Sequence, residues 1–336
     1  MKLILHIGRP KTGTSTLQAT LSGRARLLRE AGYLYPRIGH VTHHKHITFL
    51  LPCLAPSPKH EGMPPEDLRS RGEAGLGDVK RQIDRHRPHT VILSSEYLFR
   101  PMTGADVDIL TDYLRQICDD IAVVAYLRDP VSAFASGLAQ RLKTNHLLPD
   151  GIRPADYVAP IAAFRRRHKV YAHRFDRASL IGGDIVTDFM TRYVEGVPPG
   201  PADSDTNRSP GAEGIKLLWL YRRTFAADRA GTYGDDLKAF YGRILAAEDT
   251  LGRSRKVVVL PRVADHLYGL FLPQHDYLKA HDGIDFLGDR VVGVPSEPLP
   301  PPQCLEDLFD VSQDRFCALA AEVARTWTDG PMPVLD

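Results

Sequence analysis

The sequence predicts an α/β fold with a central parallel sheet, followed by a mostly helical C-terminal half. Three short apolar segments predict buried strands, at residues 2–7, Thr90–Ser94 and 121–127. Helix-like segments separate them, and strands that alternate with helices form parallel sheets with helices on both faces. We therefore expect a single domain, with a three-layer core over residues 1–195 and a largely helical, substrate-side extension over residues 196–336.

Further helices and short strands complete the predicted order of elements. Residues 37–78 are rich in Pro, Gly and His, which predicts a long loop with one helical piece near residues 43–52. A Pro-rich connector at 295–302 precedes the last helix. Helices are expected at 14–31, 79–86, 106–118, 131–143, 183–193, 211–227, 235–251 and 312–326, and shorter strands at 34–36, 169–173 and 179–181.

Composition argues against several functional classes. The 336 residues include 25% charged side chains but a net charge of only +2, which gives no basis for nucleic-acid binding through bulk charge. No apolar run approaches the roughly 18 residues that cross a membrane. The four cysteines are scattered without a paired spacing, which fits a reducing compartment and no structural zinc. We expect a cytoplasmic protein without stable membrane insertion.

The first apolar strand runs into a loop of Gly, Pro and Thr and then directly into a helix, which is the layout of a phosphate-binding loop. Gly8 and Gly13 have the spacing of the G-x-x-x-x-G-K-[ST] pattern, but Thr14 occupies the lysine position and the loop's lysine is Lys11. In triphosphatases the lysine that follows the second glycine contacts the β- and γ-phosphates. The displaced lysine therefore predicts a ligand that has no γ-phosphate.

Backbone N–H groups and hydroxyls make this loop a candidate anion site, because the positive end of the following helix adds to them. The alternative is an ordinary strand-to-helix turn with a threonine cap, which the glycine spacing and the density of hydroxyls disfavour. The nucleotide-binding residues expected here are Arg9, Lys11, Thr12, Gly13, Thr14, Ser15 and Thr16.

A second candidate phosphate site follows the third buried strand. Arg128 ends that strand, and Ser136 lies eight residues later in the next helix. An arginine can direct two N–H groups at one phosphate. Taken alone, the segment is better explained as a surface Arg–Asp pair with a serine that merely fills the helix. Together with the N-terminal loop, it indicates a nucleoside that carries phosphate at both ends.

These two segments resemble the PAPS-dependent sulfotransferases, enzymes that use 3′-phosphoadenosine 5′-phosphosulfate (PAPS). The 5′-phosphosulfate loop of that family has the form Pro-Lys-x-Gly-Thr-[ST], which residues 10–15 match, and its 3′-phosphate element is matched by Arg128 and Ser136. The residues of the two motifs are most similar to those of bacterial members that act on carbohydrates. The resemblance is firm over residues 1–145 and thin afterwards. It implies a P-loop NTPase-like fold, PAPS as donor, 3′-phosphoadenosine 5′-phosphate (PAP) as product, and no required metal.

Glu96 is the candidate catalytic base. Transfer of a sulfonate group is an in-line attack on sulfur, which needs a base for the nucleophile and donors for the leaving phosphate. Glu96 follows the second buried strand, and several carbohydrate enzymes of the resembled family use a glutamate as base. The alternative is a helix-capping or salt-bridged glutamate. Lys11 is the expected electrophilic partner, which stabilises charge on the departing PAP.

Two further groups have open roles. His40, His43, His44 and His46 form a cluster for which zinc is one reading, without an acidic or cysteine partner nearby. Hydrogen bonds from His44 or His46 to sugar hydroxyls are another reading, and solvated loop histidines a third. Arg208 lies before a predicted helix and is expected to close over the nucleotide, although a simple helix N-cap by Ser209 explains that segment nearly as well.

The sequence therefore predicts a sulfotransferase that moves the sulfonate of PAPS to a hydroxyl or amine of a saccharide or glycolipid. A P-loop kinase is the first alternative, and Thr14 in place of the lysine argues against it. A non-catalytic nucleotide-binding module is the second, and Glu96 beside two anion sites argues against that.

Overall fold

Five parallel strands form one sheet in the order β2-β3-β1-β4-β5. The structure is a computed structural model, and it describes residues 1–39, 41–51, 63–200, 209–252 and 256–327. The strands are β1 (Lys2–His6), β2 (Tyr33–Leu34), β3 (Thr90–Ser94), β4 (Asp120–Leu127) and β5 (Lys169–Arg174). The α/β class and the parallel sheet are thus confirmed.

The sheet is buried on both faces, which explains why its central strands are continuously apolar. Residues Leu3, Ile4, Leu5 and His6 are each at most 2% exposed, although successive residues of a strand point to opposite faces. β1 pairs with β3 on one side and with β4 on the other, and Leu3 lies level with Val91 and Ile121. Side chains that follow these three strands therefore start from neighbouring points on one edge.

The strand order indicates where a ligand crevice is expected at that edge. From β1 the chain crosses to β2 at one border of the sheet, whereas from β4 it continues to β5 at the other border. Neighbouring strands whose outgoing connections diverge leave a gap above their carboxyl ends, where α/β proteins bind ligands. Here the gap lies above β1 and β4.

Eleven α-helices are described. They are α1 (Thr14–Gly23), α2 (Ala25–Glu30), α3 (Pro65–His86), α4 (Gly104–Arg115), α5 (Pro130–Arg141), α6 (Val158–Arg165), α7 (Ile185–Tyr193), α8 (Ala212–Phe225), α9 (Asp235–Thr250), α10 (Pro261–Asp282) and α11 (Gln313–Arg325). Short 3-10 helices cover Lys45–Leu50, Glu96–Leu98, Ile181–Gly183 and Leu305–Asp307. None of the helices within the described ranges is both long enough and apolar enough to span a bilayer.

The chain forms two compact units. The sheet unit comprises Met1–Asp129, Asp156–Ser204 and Pro273–Phe286, and the helical unit comprises Pro130–Ala155, Asp205–Leu272 and Leu287–Asp336. The expected boundary at residue 195 differs from this division, because α5 groups with the helical unit and the end of α10 groups with the sheet unit.

A buried carboxylate ties α7 to the sheet inside the sheet unit. Asp188 is fully buried and accepts hydrogen bonds from the Tyr126 hydroxyl (2.7 Å), the Arg192 guanidinium (2.9 Å) and the Ile181 N–H (2.9 Å). Burial raises the pKa of Asp188, but these hydrogen bonds outweigh it and hold the pKa below its ordinary value. α7 is thereby fixed against β4, close to the strand ends.

Several element predictions are wrong in informative ways. α3 begins at Pro65, inside the expected loop, because proline suits the first helical turn and Glu66 and Asp67 complement its dipole. Residues 179–181 form no strand and lead into a 3-10 helix, in which Gly182 has a φ of 67°. The predicted helix 14–31 is two helices, interrupted at Arg24.

Candidate anion site and base

The loop after β1 has an unusual backbone. Gly8, Lys11 and Gly13 have positive φ angles of 41°, 73° and 72°. For lysine this left-handed conformation is unfavourable, and such residues cluster at ligand-binding sites. The Thr12 hydroxyl donates to the carbonyl of Arg9 at 2.6 Å and braces the turn from inside. A backbone that alternates between right-handed and left-handed conformations in this way can turn successive N–H groups toward one anion.

Helix α1 starts directly from this loop without a side-chain cap. Gly13 is the N-cap residue, and within the described residues no side chain accepts from its first turn, which also contains no acidic residue. The first N–H groups and the positive end of the helix are therefore available to an anion. A Cβ atom at Gly13 would lie 2.9 Å from a methyl carbon of Ile185, so only glycine fits.

Cationic side chains surround the loop. Arg128 follows β4, is partly exposed, and donates from Nη1 to the carbonyl of Lys11 at 3.3 Å. Burial lowers the pKa of Arg128 and the neighbouring charge of Arg9 lowers it further, but a guanidinium remains charged. Tyr157 supports both arginines: its hydroxyl donates to the carbonyl of Arg128 at 2.7 Å, and its ring centre lies 5.0 Å from the Arg9 guanidinium.

Glu96 lies at the end of β3, beside this loop. It is half-buried and begins a 3-10 helix, while the N–H of Ser95 pairs with the carbonyl of His6 at 2.9 Å. Gln18 of α1 donates to Glu96 Oε2 at 2.9 Å. Within the described part of the chain, Glu96 forms no salt bridge and caps no helix with its side chain. The salt-bridged and capping alternatives therefore lack support here.

Three buried polar atoms on these strand ends have no hydrogen-bond partner among the described residues. They are His6 Nε2, Thr14 Oγ1 and Ser95 Oγ. A Cβ atom at Gly8 would lie 2.9 Å from Thr14 Oγ1 and 3.1 Å from His6 Nε2, so two of the three atoms border the same glycine. An unpaired buried polar group costs about 1–3 kcal/mol, so each is a candidate contact for a bound ligand or water.

His44 serves the backbone. It is 1% exposed, its Nδ1 accepts from the N–H of Ser94 at 2.8 Å, and its Nε2 donates to the carbonyl of Pro36 at 2.7 Å. Burial lowers its pKa to about 4, so the ring is neutral. Both ring nitrogens are thereby used, and none remains for a sugar hydroxyl. The expectation that His44 contacts the acceptor is therefore not supported by its position.

Other histidines of the cluster lie differently. The His46 ring centre is 5.6 Å from that of Phe49, and its Cβ would be 3.2 Å from a side chain at Gly75. His43 faces the charge of Glu96, although burial has the larger effect and lowers its pKa. His40 lies outside the described residues. Among those that are described, no group of three or more potential ligands is placed to hold a metal.

Sequence reasoning missed Tyr97 and Gln18. Tyr97 is 44% exposed beside Glu96, and its ring centre lies 6.3 Å from that of His43. An exposed aromatic ring next to a candidate base was a readable signal, since such rings pack against apolar faces of ligands. Gln18 gave no signal, because a glutamine in a helix usually faces solvent.

Ser136, Arg208, Ser15 and Thr16 are the remaining residues of the expected nucleotide site. Ser136 lies on α5 and is half-buried, but α5 groups with the helical unit. Arg208 lies outside the described residues. Ser15 and Thr16 occupy the first turn of α1, where Ser15 is exposed and Thr16 half-buried.

Two comparisons with known proteins identify no relative of this chain. A scan against models of known protein families finds no match for this chain, and a search of curated proteins finds no significant similarity. The resemblance of the two motifs to sulfotransferases therefore remains a prediction.

Proposed function

We propose that this protein is a PAPS-dependent sulfotransferase with a P-loop nucleotide-binding fold. The observation that carries the proposal is the hydrogen bond from Arg128 to the carbonyl of Lys11, which joins the two cationic motifs at the adjacent ends of β1 and β4. The acceptor is a hydroxyl or amine of a saccharide or glycolipid, and the compartment is the cytoplasm.

The residues at the strand ends fit a doubly phosphorylated nucleotide. The first N–H groups of α1, the Thr14 hydroxyl and Lys11 would hold the 5′-phosphosulfate, and Arg128 would hold the 3′-phosphate. PAPS, when bound, supplies an activated sulfonate on a phosphate leaving group. Lys11 would stabilise the charge that develops on the departing phosphate, a donor role typically worth about 10²–10³ in rate.

Glu96 would act on the acceptor. Its carboxylate lies at the end of β3, next to β1, so it starts from the same edge as the phosphosulfate loop. Tyr97 and His43 lie beside it and would contact the acceptor, and His43 is expected to act as a neutral hydrogen-bonding group because burial lowers its pKa. An aromatic face next to hydrogen-bonding groups suits a sugar ring.

The alternatives fit less well. A P-loop kinase needs a lysine after Gly13 for the β- and γ-phosphates and uses Mg²⁺. Thr14 occupies that position, and its side chain is 4% exposed. A non-catalytic nucleotide-binding module would not need a carboxylate held beside the loop by a dedicated hydrogen bond, which Glu96 receives from Gln18.

A transfer assay tests the proposal. The purified protein is incubated with ³⁵S-labelled PAPS and a panel of oligosaccharides and glycolipids, and labelled product is separated from PAPS. We expect labelled product, and we expect Glu96→Gln to lower turnover by at least about a hundredfold while PAP affinity is retained, because general-base catalysis contributes about 10²–10⁴.

The matched control is Glu66→Gln, the same change at an exposed position in the first turn of α3. It should keep both turnover and PAP affinity. Full turnover by Glu96→Gln would remove the base assignment. Phosphate transfer from ATP to the same panel, without sulfonate transfer from PAPS, would overturn the proposed function.

A further inference from the structure

A chain of hydrogen bonds links helix α1 to the candidate base. Gln18 is 3% exposed, and its Nε2 donates to Glu96 Oε2 at 2.9 Å and to Ser94 Oγ at 3.1 Å. Ser94 Oγ in turn lies 2.8 Å from Nδ1 of His6. The Gln18 Nε2 atom also lies 3.5 Å from the carbonyl oxygen of Ser94. An amide nitrogen has two hydrogens, so one serves Glu96 and the other is directed at Ser94.

The orientation of the Gln18 amide follows from its partners. With the amide reversed, its oxygen would face the Glu96 carboxylate, and two acceptors would meet without a proton between them. The nitrogen therefore faces Glu96, and one carboxylate oxygen, Oε2, is occupied by a donor. No side chain or N–H group of the described residues donates to Oε1, so Oε1 is the oxygen that can receive a proton.

His6 fixes the far end of this chain. It is fully buried, and burial lowers its pKa to about 3, so the ring is neutral. A neutral ring that accepts the Ser94 hydroxyl proton at Nδ1 carries its own hydrogen on Nε2. Ser94 is then free to accept from Gln18, and the amide is held from both sides.

We propose that Gln18 is the positioning residue for Glu96 in sulfonate transfer, and that Glu96 Oε1 takes the proton of the acceptor. This inference rests on the proposed function. In the step, the acceptor's O–H or N–H proton passes to Oε1 and the acceptor atom bonds to sulfur. The bond between sulfur and the bridging phosphate oxygen breaks, and its electron pair leaves with PAP.

The position of Gln18 on α1 explains why a glutamine is useful there. Thr14, at the start of α1, and Gln18 are four residues apart and share one face of the helix. The same helix therefore presents its N-terminus to the anion site and, one turn later, its amide to the base. The spacing between the donor loop and the base is thereby built into one rigid element.

Two substitutions test the role. Gln18→Met keeps the size of the side chain and removes the donor, and Gln18→Glu places a second carboxylate against Glu96. Gln116→Met, the same change at the exposed end of α4, is the control. The measurements are the pH profile of turnover, PAP affinity by calorimetry, and the carboxyl titration of Glu96 by ¹³C NMR with Glu96→Gln for assignment.

We expect Gln18→Met to lower turnover about 10- to 100-fold with PAP affinity unchanged, since only the base is affected. A hydrogen bond to a carboxylate favours its charged form. Loss of this bond in Gln18→Met should therefore move the acid limb of the pH profile upward by roughly one pH unit. Gln18→Glu should move it further in the same direction. Tyr35, Tyr97 and His43 also face the Glu96 charge but are identical in all variants.

The NMR titration separates this inference from the proposed function, because it needs no turnover. An unchanged Glu96 midpoint in both Gln18 variants, or an equal change in Gln116→Met, would overturn the positioning role even if the enzyme is active. A raised midpoint without any sulfonate transfer by the wild-type protein would instead overturn the proposed function, and the catalytic assignment of Oε1 with it. Should Gln18→Met fail to fold, Gln18→Glu, which retains length and polarity, decides the question.

Discussion

Two arginines, one in each unit, show how similar side chains can have different surroundings. Arg222 of the helical unit is fully buried and donates to the carbonyls of Lys143 (3.2 Å), Thr144 (2.6 Å) and Arg229 (2.6 Å). Arg128 of the sheet unit is partly exposed, and Lys11 supplies the one carbonyl it contacts within the described residues. Burial lowers the pKa of both.

The difference lies in the donors that remain. A guanidinium has five N–H donors. Arg222 directs both of its Nη groups at carbonyls of neighbouring loops and so holds α8 to the segment after α5, while its buried Nε has no partner among the described residues. Arg128 keeps most of its donors at the carboxyl end of a strand, beside other cations. A burial-lowered pKa therefore does not separate the two arginines, whereas several unused donors at a strand end make Arg128 the candidate for an anion.

Cavities in the helical unit show that cavity volume, like a lowered pKa, is not sufficient to identify a site. A groove of about 720 Å³ is lined by residues 150–154, by His266 and by the Pro-rich segment near 295–301, and a cavity of about 220 Å³ lies beside Glu213 and Glu248. These two carboxylates accept from the N–H groups of Ser312 and Gly211, close to where α11 and α8 begin. Their charge therefore serves helix ends, and volume alone does not mark the site.

The largest expected effect on stability comes from Arg222→Met. Removal of the guanidinium takes away three hydrogen bonds and leaves the carbonyl of Lys143 without a donor among the described residues, whereas the carbonyls of Thr144 and Arg229 keep donors from Gly231 and Thr232. Because hydrogen bonds from a charged donor are lost, we expect a loss of about 3–5 kcal/mol in the free energy of unfolding. Urea unfolding followed by circular dichroism measures it. PAP affinity of the folded fraction should be unchanged. A loss below about 1 kcal/mol would show that water replaces the guanidinium readily.

Acid should destabilise the protein nearly as much, through histidines of the sheet unit. Burial lowers the folded-state pKa of His6 to about 3 and of His44 to about 4, whereas the unfolded value is 6.5. Between pH 6.5 and about 4, the unfolded chain binds protons that the folded chain does not, so stability falls as pH falls. From pH 7 to pH 5 we expect a loss of roughly 2 kcal/mol for each histidine.

Urea unfolding at pH 7 and pH 5 measures this loss. His44→Asn keeps an acceptor for the Ser94 N–H but cannot titrate, so its pH dependence should be smaller by about the share of one histidine, roughly 2 kcal/mol. An unchanged pH dependence in His44→Asn would show that His44 does not stay neutral in the folded protein.

Arg128→Met is expected to have the smallest effect on stability. It makes the same change in the sheet unit that Arg222→Met makes in the helical unit. Stability should change by less than about 1 kcal/mol, because one hydrogen bond to a carbonyl is lost. PAP affinity should fall about 10- to 100-fold, since a charged pair with phosphate is removed. Affinity for adenosine 5′-phosphate should fall less. Equal losses for the two ligands, measured by calorimetry, would contradict a 3′-phosphate site at Arg128.

Local features of the sequence were sufficient for the sheet and the loop. The runs of Leu, Ile and Val in β1, β3 and β4 are buried on both faces, so an apolar run is their direct signature. The glycines of the loop carry positive φ angles that few other residues adopt, so their spacing was informative. Elements whose form depends on distant partners were harder. α10 was missed because Pro273 interrupts an otherwise helical segment.

The candidate site was predictable only in part, because the strand order cannot be read from the sequence. Glu96 was a candidate from its place after a strand. Its partner Gln18 lies 78 positions earlier and reaches it because β3 pairs with β1. His44 illustrates the converse. Its density of neighbouring histidines suggested a ligand role, but the N–H of Ser94 and the carbonyl of Pro36 occupy its ring.

The loop after β1 is proposed to bind a phosphosulfate nucleotide and not a triphosphate. A thermal-shift and calorimetric comparison of PAP, ATP and GTP, each with and without Mg²⁺, tests this proposal on the wild-type protein. We expect PAP to raise the melting temperature without Mg²⁺ and ATP with Mg²⁺ to raise it far less, because Thr14 replaces the lysine that reaches a γ-phosphate. Stabilisation by ATP with Mg²⁺ but not by PAP would show that the loop is a triphosphate site.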